Sequence, residues 1–479
     1  VIFLIENNGY ALSTPSHEQF VCENLVSRAE GYGIEGIQID GNNLFEVYET
    51  VTMAREKALQ GKPIMIEAMT FRMRGHEEAS GTHYVPDVLM RDWQEKDPVE
   101  RFEHYLLHEH LITEQEISEI RKKLEASFRA ELKKALSSPE PEFNNVKAPD
   151  PWPAERNNQK TEKRFIEGIQ SALKQAFSED ENYVLMGQDI AEYGGVFKIT
   201  DGFLEQFGRH RIRNTPIIES GALGAALGLA YEGFKPVVEI QFADFISCGF
   251  NQIVNNIAKS RYRWSPEVNI TIRAPHGAGV GAGPYHSQSV EGWFMQIPGL
   301  KVVVPSSVED AQNLLYSSLI DPNPVLFFEH KKLYRSIRQE VPEKAFYEPL
   351  GKAKIVQQGD SLSIITYGMG VHWARELADK VEESIEIIDL RTLLPLDLGT
   401  IHLSIKKTHR ALLIQEATLM MGPMAEIAAE ISEYCFEDLD APVMRCGALD
   451  TPVPFNKTLE EGFLGLEEMK NKLKALLAY

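Results

Sequence analysis

Short, mostly apolar runs recur at residues 1–5, 63–68, 183–186, 236–242, 268–272, 301–304, 324–328, 362–366, 385–390 and 411–414, with helical periodicity between most of them. Runs that are apolar on both faces, rather than at every second position, mark strands buried on both sides. Their alternation with helices predicts the α/β class, with parallel sheets covered by helices. Ligands in such folds gather at the carboxyl ends of the strands. The run at 1–5 has neither an initiator methionine nor a basic region ahead of it, so it reads as a buried core strand rather than a signal peptide. A chain opening inside a core strand implies further natural sequence, and any targeting information, ahead of Val1.

Between residues 97 and 137 two helices are legible. Asp97 followed by Pro98 gives an N-cap with proline at the first helical position, and Thr113 to Glu116 reads as a capping box. From there Ile117, Ile120, Leu124, Phe128, Leu132 and Leu136 form one apolar stripe that stops before Pro139, the pattern of a packing helix. The pattern then lapses into Pro139, Pro141, Asn144, Asn145, Pro149, Pro151 and Pro153, which predicts an interdomain linker. A second boundary is expected near 340–360, where Pro342, Pro349, Gly359 and Asp360 cluster. The expected division is 1–137, a linker at 138–160, 161–345 and 346–479.

Composition narrows the classes. With 43% hydrophobic and 25% charged residues over 479 positions, the chain is globular rather than disordered or fibrous. No apolar run approaches the roughly 18 residues needed to span a bilayer. A net charge of −21 disfavours binding to nucleic acid or anionic lipid. Cys22, Cys248, Cys435 and Cys446 show no Cys-x-x-Cys spacing, so neither a disulfide framework nor a thiolate zinc site is indicated, and a reducing compartment such as the cytoplasm is expected.

Four segments carry candidate chemistry. Glu6, Asn7, Asn8, Gly9 and Tyr10 directly follow the first strand; Asn-Gly is a turn signal, but an asparagine oxygen and a backbone carbonyl are also suitable magnesium ligands. Arg72 to Gly81 is a charged strand-end segment that is either a solvated loop or a place where Arg72 grips phosphate and His76 exchanges protons. Glu219 lies between Ile217-Ile218 and the small-residue stretch 222–230. A lone carboxylate there would be poorly solvated and would hold a proton more readily, so it is an N-cap or a functional acid. The glycines at 277, 279, 281 and 283 lack dinucleotide-loop spacing and suit a loop that presents His286, although a turn histidine can be merely structural. His104, His108 and His110 lack the partners of a zinc site and read as surface residues.

Taken together, the four segments resemble the thiamine-diphosphate-dependent decarboxylating component of 2-oxoacid dehydrogenase complexes. Residues 1 to about 137 are similar to the later part of its alpha subunit and 161–479 to a complete beta subunit, which implies a natural alpha–beta fusion with a thiamine-diphosphate-binding fold and a transketolase C-terminal-like α/β domain. The phrases from Asn7 to Pro15, Ile66 to Thr70, Ile240 to Asp244 and Tyr285 to Ser289 resemble the branched-chain type more than the pyruvate type. The resemblance implies that Asn8 and the Tyr10 carbonyl coordinate magnesium, that Arg72 binds the cofactor diphosphate, and that His76 steadies the site and assists proton transfer to a lipoyl group. Across a subunit interface Glu219 would hydrogen-bond the pyrimidine ring, His286 would stabilise intermediates, and Gln241 and Phe245 would line the pocket. The implied reaction is oxidative decarboxylation of a 2-oxoacid with transfer of the acyl group to the lipoyl domain of a dihydrolipoyl acyltransferase core, by a homodimer of fused chains.

Departures from the family pattern qualify these expectations. Its Gly-Asp-Gly segment, whose aspartate binds magnesium, should lie ahead of Val1, so these 479 residues on their own are expected to bind cofactor weakly or not at all and to be inactive. Glu77 stands where regulated relatives carry a phosphorylatable serine, so kinase control there is not expected, and Phe245 stands where the branched-chain type has tyrosine. Two alternatives follow: a transketolase-like carboligase, or a non-catalytic assembly subunit.

Overall fold

The computed structural model describes residues 1–77, 81–140, 159–264 and 266–479. It divides into two compact units, Val1–Val146 and Lys147–Tyr479. The predicted linker falls mainly on 141–158, outside the described residues.

In the first unit β1 (Ile2–Asn7), β2 (Glu35–Asp40) and β3 (Ile64–Met69) form a parallel sheet in the order β1-β3-β2. The central β3 is buried, and Ile64, Ile66 and Ala68 pack with Ile39 and Ala54 in a small core. β1 corrects the expectation of a buried strand: Phe3 and Leu4 are about half exposed, because an edge strand of a three-stranded sheet gains cover only where its neighbour and one helix reach it. Both caps form as predicted. Asp97 accepts from the N–H groups of Val99 and Glu100 at the start of the helix Pro98–His108, and Thr113 and Glu116 exchange the two bonds of a capping box at the start of Glu114–Leu136. The stripe on that second helix is largely exposed within its unit. Leu124 and Phe128 are 64% and 67% exposed, and no residue of the helix is buried. Periodicity establishes that a helix has an apolar face; a helix of 23 residues, about 35 Å long, outruns a three-stranded sheet, and its first turns border only an open apolar groove with Leu44, Val47 and Phe102.

The second unit contains β4 (Lys160–Arg164), β5 (Tyr183–Gly187), β6 (Ile212–Asn214), β7 (Lys235–Glu239), β8 (Thr271–His276), β9 (Lys301–Val303), β10 (Val325–His330), β11 (Arg338–Pro342), β12 (Lys354–Gln357), β13 (Leu362–Thr366), β14 (Ile385–Asp389), β15 (Thr392–Leu394), β16 (Ala411–Thr418) and β17 (Met444–Ala448). One sheet runs β15-β9-β10-β8-β7-β5-β6 and a second runs β12-β14-β13-β16-β17, with β4 and β11 as a separate antiparallel pair. Only the edge strands β15 and β12 run antiparallel within the two larger sheets. The larger sheet is covered on both faces. Adjacent Phe327 and Phe328 on β10 enter opposite cores, each burial worth about 1.5–3 kcal/mol. The core on one face continues through Ile365, Ile388 and Leu413 of the second sheet, so the two sheets share apolar packing. Among the described residues no helix is long and apolar enough to cross a membrane, and all four cysteines are free.

Candidate active site

In the first unit, the segment after β1 is a turn. Gly9 has φ +77°, the Gly9 N–H donates to Asn7 Oδ1 at 3.2 Å, and the Tyr10 N–H donates to Asn8 Oδ1 at 3.1 Å. Asn7 Nδ2 donates in turn to Glu67 Oε1 at 2.7 Å, tying the turn to buried β3. Burial pushes the Glu67 carboxyl up, but bonds from Asn7, the Val26 and Leu25 N–H groups and Gln38 outweigh it and hold the group below its usual range. Arg72 donates to the carbonyls of Ala11 at 3.1 Å and Leu12 at 2.5 Å and to the Tyr84 hydroxyl at 3.0 Å, and lies 3.5 Å from Nδ1 of exposed His76. Tyr10 meets Phe71 and Tyr84 edge-on. Asn8, Tyr10, Arg72 and His76 are therefore brought to one end of this small sheet. Glu78, Ala79 and Ser80 of the same predicted segment lie outside the described residues.

In the second unit, the ends of β6, β7 and β8 supply the other predicted residues, with β5 between the first two. Glu219 opens the helix Glu219–Tyr231 after β6, and its Oε1 accepts from Gln188 Nε2 at 3.0 Å, just past β5. The N-cap position belongs to Ile218, so the capping alternative is corrected. The enclosure expected from Ile217 and Ile218 is also absent within this unit: they are 84% and 53% exposed, and Glu219 is half-buried, because consecutive residues before a helix turn outward as readily as inward. Past β7, Gln241 Nε2 lies 3.5 Å from Asp189 Oδ2, which follows Gln188. Phe245 and Phe242 stand edge-on to the His286 ring, at 5.5 and 4.8 Å between centroids. Buried Asp244 accepts at Oδ1 from the N–H groups of Ser287 and Gln288 and from Gln288 Nε2, at 3.0–3.3 Å, so the residues after His286 are fixed to the end of β7. Glu219, Gln241, Phe245 and His286 thus lie along the carboxyl edge of β6, β5, β7 and β8.

Gln188, Asp189, Phe242 and Asp244 were not singled out by sequence. A polar pair directly after the apolar run at 183–186 could have marked the first two; nothing local marks Asp244, whose partners are more than forty residues away. The structure adds Glu416, Glu460 and His330 behind the His286 loop: His330 Nε2 and Glu416 Oε2 are 2.6 Å apart in the interior. Beside them His276 Nδ1 faces Glu291 Oε2 at 3.7 Å, but this is not an ion pair. Burial, with the nearby His330 and Lys331 charges, keeps His276 far below the usual histidine range, and burial pushes Glu291 up to about 7 against the hydrogen bond from Tyr367. An acid that binds its proton more tightly folded than unfolded loses stabilising effect as pH rises from its unfolded value of about 4.5 through about 7. Glu291→Gln is therefore expected to flatten the fall in Tm between pH 5 and 8, and an unchanged slope in a thermal-melt series would contradict this. His104, His108 and His110 are exposed, and among the described residues no group of three or more His, Cys, Asp or Glu side chains could hold a metal.

Comparison with known proteins bears on this arrangement. Residues 1–144 match the family model described as dehydrogenase E1 component, 162–336 that of the transketolase pyrimidine binding domain, and 351–468 that of the transketolase C-terminal domain. The chain is 44% identical over 308 residues to the 2-oxoisovalerate dehydrogenase subunit beta of Bacillus subtilis, covering 63% of this chain and 94% of that protein. It is 45% identical over 300 residues to the pyruvate dehydrogenase E1 component subunit beta of the same organism, covering 61% and 92%. The corresponding Staphylococcus aureus subunit is 41% identical over 320 residues, covering 66% and 98%. A solved split gene transketolase, an inactive beta4 tetramer, superposes with a TM-score of 0.54 at 21% identity, covering 66% of this chain and 98% of its own, a likeness in fold alone.

Proposed function

This chain belongs to the thiamine-diphosphate-dependent 2-oxoacid dehydrogenase E1 family, with alpha-type and beta-type regions in one polypeptide, and on that premise we propose that it oxidatively decarboxylates a 2-oxoacid, branched-chain in preference, and passes the acyl group to a lipoyl domain of a partner acyltransferase. The observation that carries the reading is the row Glu219, Gln188, Asp189 and Gln241 at adjacent strand ends, flanked by the Phe242, Phe245 and His286 rings. A half-buried carboxylate beside amide and aromatic groups suits a protonatable heteroaromatic ring, so the residues present fit the pyrimidine of thiamine diphosphate. Asn8 and the Tyr10 carbonyl are hard oxygen donors of the kind magnesium takes alongside phosphate and water, and Arg72, held by the Ala11 and Leu12 carbonyls and the Tyr84 hydroxyl, would place a positive charge for diphosphate oxygens beside them.

Thiamine diphosphate, when bound, supplies the electron sink for decarboxylation. The protein's groups do the rest. Glu219 holds and releases a proton at its carboxylate, with Oε1 oriented by the Gln188 amide. His286, steadied between Phe242 and Phe245, offers a ring nitrogen to oxygen on the substrate, while the aromatic edges exclude water. His76 exchanges a proton near the lipoyl acceptor. We place the working form in the cytoplasm as a homodimer and divide its second unit into a pyrimidine-binding part, 161–345, and a C-terminal part, 346–479.

The test is 2-oxoacid-dependent reduction of a dye acceptor, and acylation of a free lipoyl domain, by the full-length protein with thiamine diphosphate and magnesium present. Branched-chain 2-oxoacids are expected to exceed pyruvate in kcat/KM by about tenfold or more, since a few methylenes in an apolar pocket discriminate on that scale. Higher kcat/KM for pyruvate would overturn the substrate preference. Turnover of sugar phosphates without a lipoyl acceptor would favour a carboligase, and cofactor-independent assembly with no turnover of any acid would favour a non-catalytic subunit.

A further inference from the structure

The glycine-rich segment that leads to His286 is held from outside itself. Gly277, Gly279, Gly281 and Gly283 all have positive φ, from +69° to +91°. At two of them there is also no room for a side chain: a Cβ on Gly277 would lie 2.2 Å from His330 Nε2, and one on Gly283 would lie 2.3 Å from the Phe455 ring. Such alternation turns successive N–H groups inward to form a nest for an anion. The anion is a carboxylate of the same chain. Glu460, 3% exposed, accepts the Gly279 N–H at 2.8 Å through Oε1 and the Gly281 N–H at 3.1 Å through Oε2. A second carboxylate, Glu416 at the end of β16, accepts the Ala278 N–H at 2.5 Å and lies 3.5 Å from the Ser289 hydroxyl, so it touches both ends of the strap. His330 braces Glu416 from behind, and Lys331 Nζ donates to the Gly277 carbonyl at 2.7 Å.

We propose that Glu416 and Glu460, which lie far from the site in sequence, are positioning residues that set where the strap 277–289 holds His286. This rests on reading His286 as a group that faces the substrate. Each carboxylate is an acceptor-only group whose bonds to backbone N–H are charge-assisted and roughly twice as strong as neutral ones, so an amide in its place keeps the size and loses the grip. The C-terminal part of the chain thereby governs the chemistry without touching substrate.

Hydrogen–deuterium exchange and steady-state kinetics on the full-length protein test this with Glu460→Gln, Glu416→Gln and Glu460→Asp. In Glu460→Gln, exchange across 278–289 is expected to quicken by about tenfold or more while β8 and β10 stay protected. The same variant should lose about ten- to a hundredfold in kcat with KM for the 2-oxoacid little changed, the scale on which small misplacements act. Glu460→Asp, keeping the charge, should recover part of both, and if Glu460→Gln does not fold, Glu416→Gln carries the same comparison. Unchanged strap exchange in both glutamine variants overturns the proposal, as does a loosened strap with full kcat while His286→Ala is inactive. Full activity of His286→Ala would instead sink the reading of His286 itself, and the exchange data then decide the positioning alone.

Discussion

Replacing Glu219 with glutamine in the full-length protein is expected to lower turnover by about 10²- to 10⁴-fold, the range that a positioned acid or base contributes, while thiamine diphosphate still binds. The two outcomes separate because the roles separate. Shape and hydrogen-bond acceptance survive the change: Gln188 Nε2 donates to Oε1 at 3.0 Å, and an amide carbonyl can take the same bond. A titratable oxygen does not survive it, and among the described residues no other carboxylate accepts from Gln188. Calorimetric titration of the cofactor with magnesium reads the first property and carbon dioxide release reads the second. Undiminished release in Glu219→Gln would remove Glu219 from the mechanism; lost binding with proportionate loss of turnover would make it a cofactor anchor instead.

Arg273→Leu is expected to cost about 3–5 kcal/mol of stability, the scale seen when a buried ion cluster loses one partner. Arg273 on β8 is fully buried between Glu239 of β7 and Glu329 of β10, donating through Nη1 to Glu239 at 2.7 Å and through Nε and Nη2 to Glu329 at 2.7 and 2.9 Å. Burial works against its charge, but the two carboxylates outweigh that and hold the proton more firmly than usual. Burial likewise pushes Glu239 up, with Arg273 opposing. Removing the cation leaves two carboxylates in the interior, one of them also accepting from the Tyr334 hydroxyl. The destabilisation should therefore shrink at low pH, where Glu239, already pushed up by burial, takes a proton, and should largely vanish when Glu239 and Glu329 are also made apolar. Denaturant unfolding of the single and triple variants measures both effects. A single variant as stable as the parent at pH 7 would show that the cluster contributes nothing net.

Much of this was legible in the chain. Each of the ten apolar runs overlaps a strand, because a strand between two helical layers needs apolar side chains in both directions, and that need is written in consecutive residues, although the run at 268–272 meets β8 only at its last two residues and β1 is exposed. Asp97 and Thr113 were legible as caps for a similar reason: the partner N–H groups lie two or three residues on. The three-residue β6 and β15 were not, since they are strands only by virtue of the neighbours they pair with. Among site residues, Glu219 and His286 could be picked out as polar groups beside strands, whereas Asp244 and Glu460 could not, their partners lying 43 and about 180 positions away.

The sequence by itself determined the α/β class, ten of the strands, two helix caps, the glycine strap and the family, because each rests on interactions between residues close along the chain or on patterns of residue type. The tertiary structure alone decided which strand ends became neighbours, that Glu219 turns toward Gln188, that β1 and the long apolar stripe are exposed within their unit, and that carboxylates from the far end of the chain hold the strap. Those outcomes depend on burial and on pairings across large sequence separations, where the energy of a contact is set by what packing brings alongside rather than by the residues on either side.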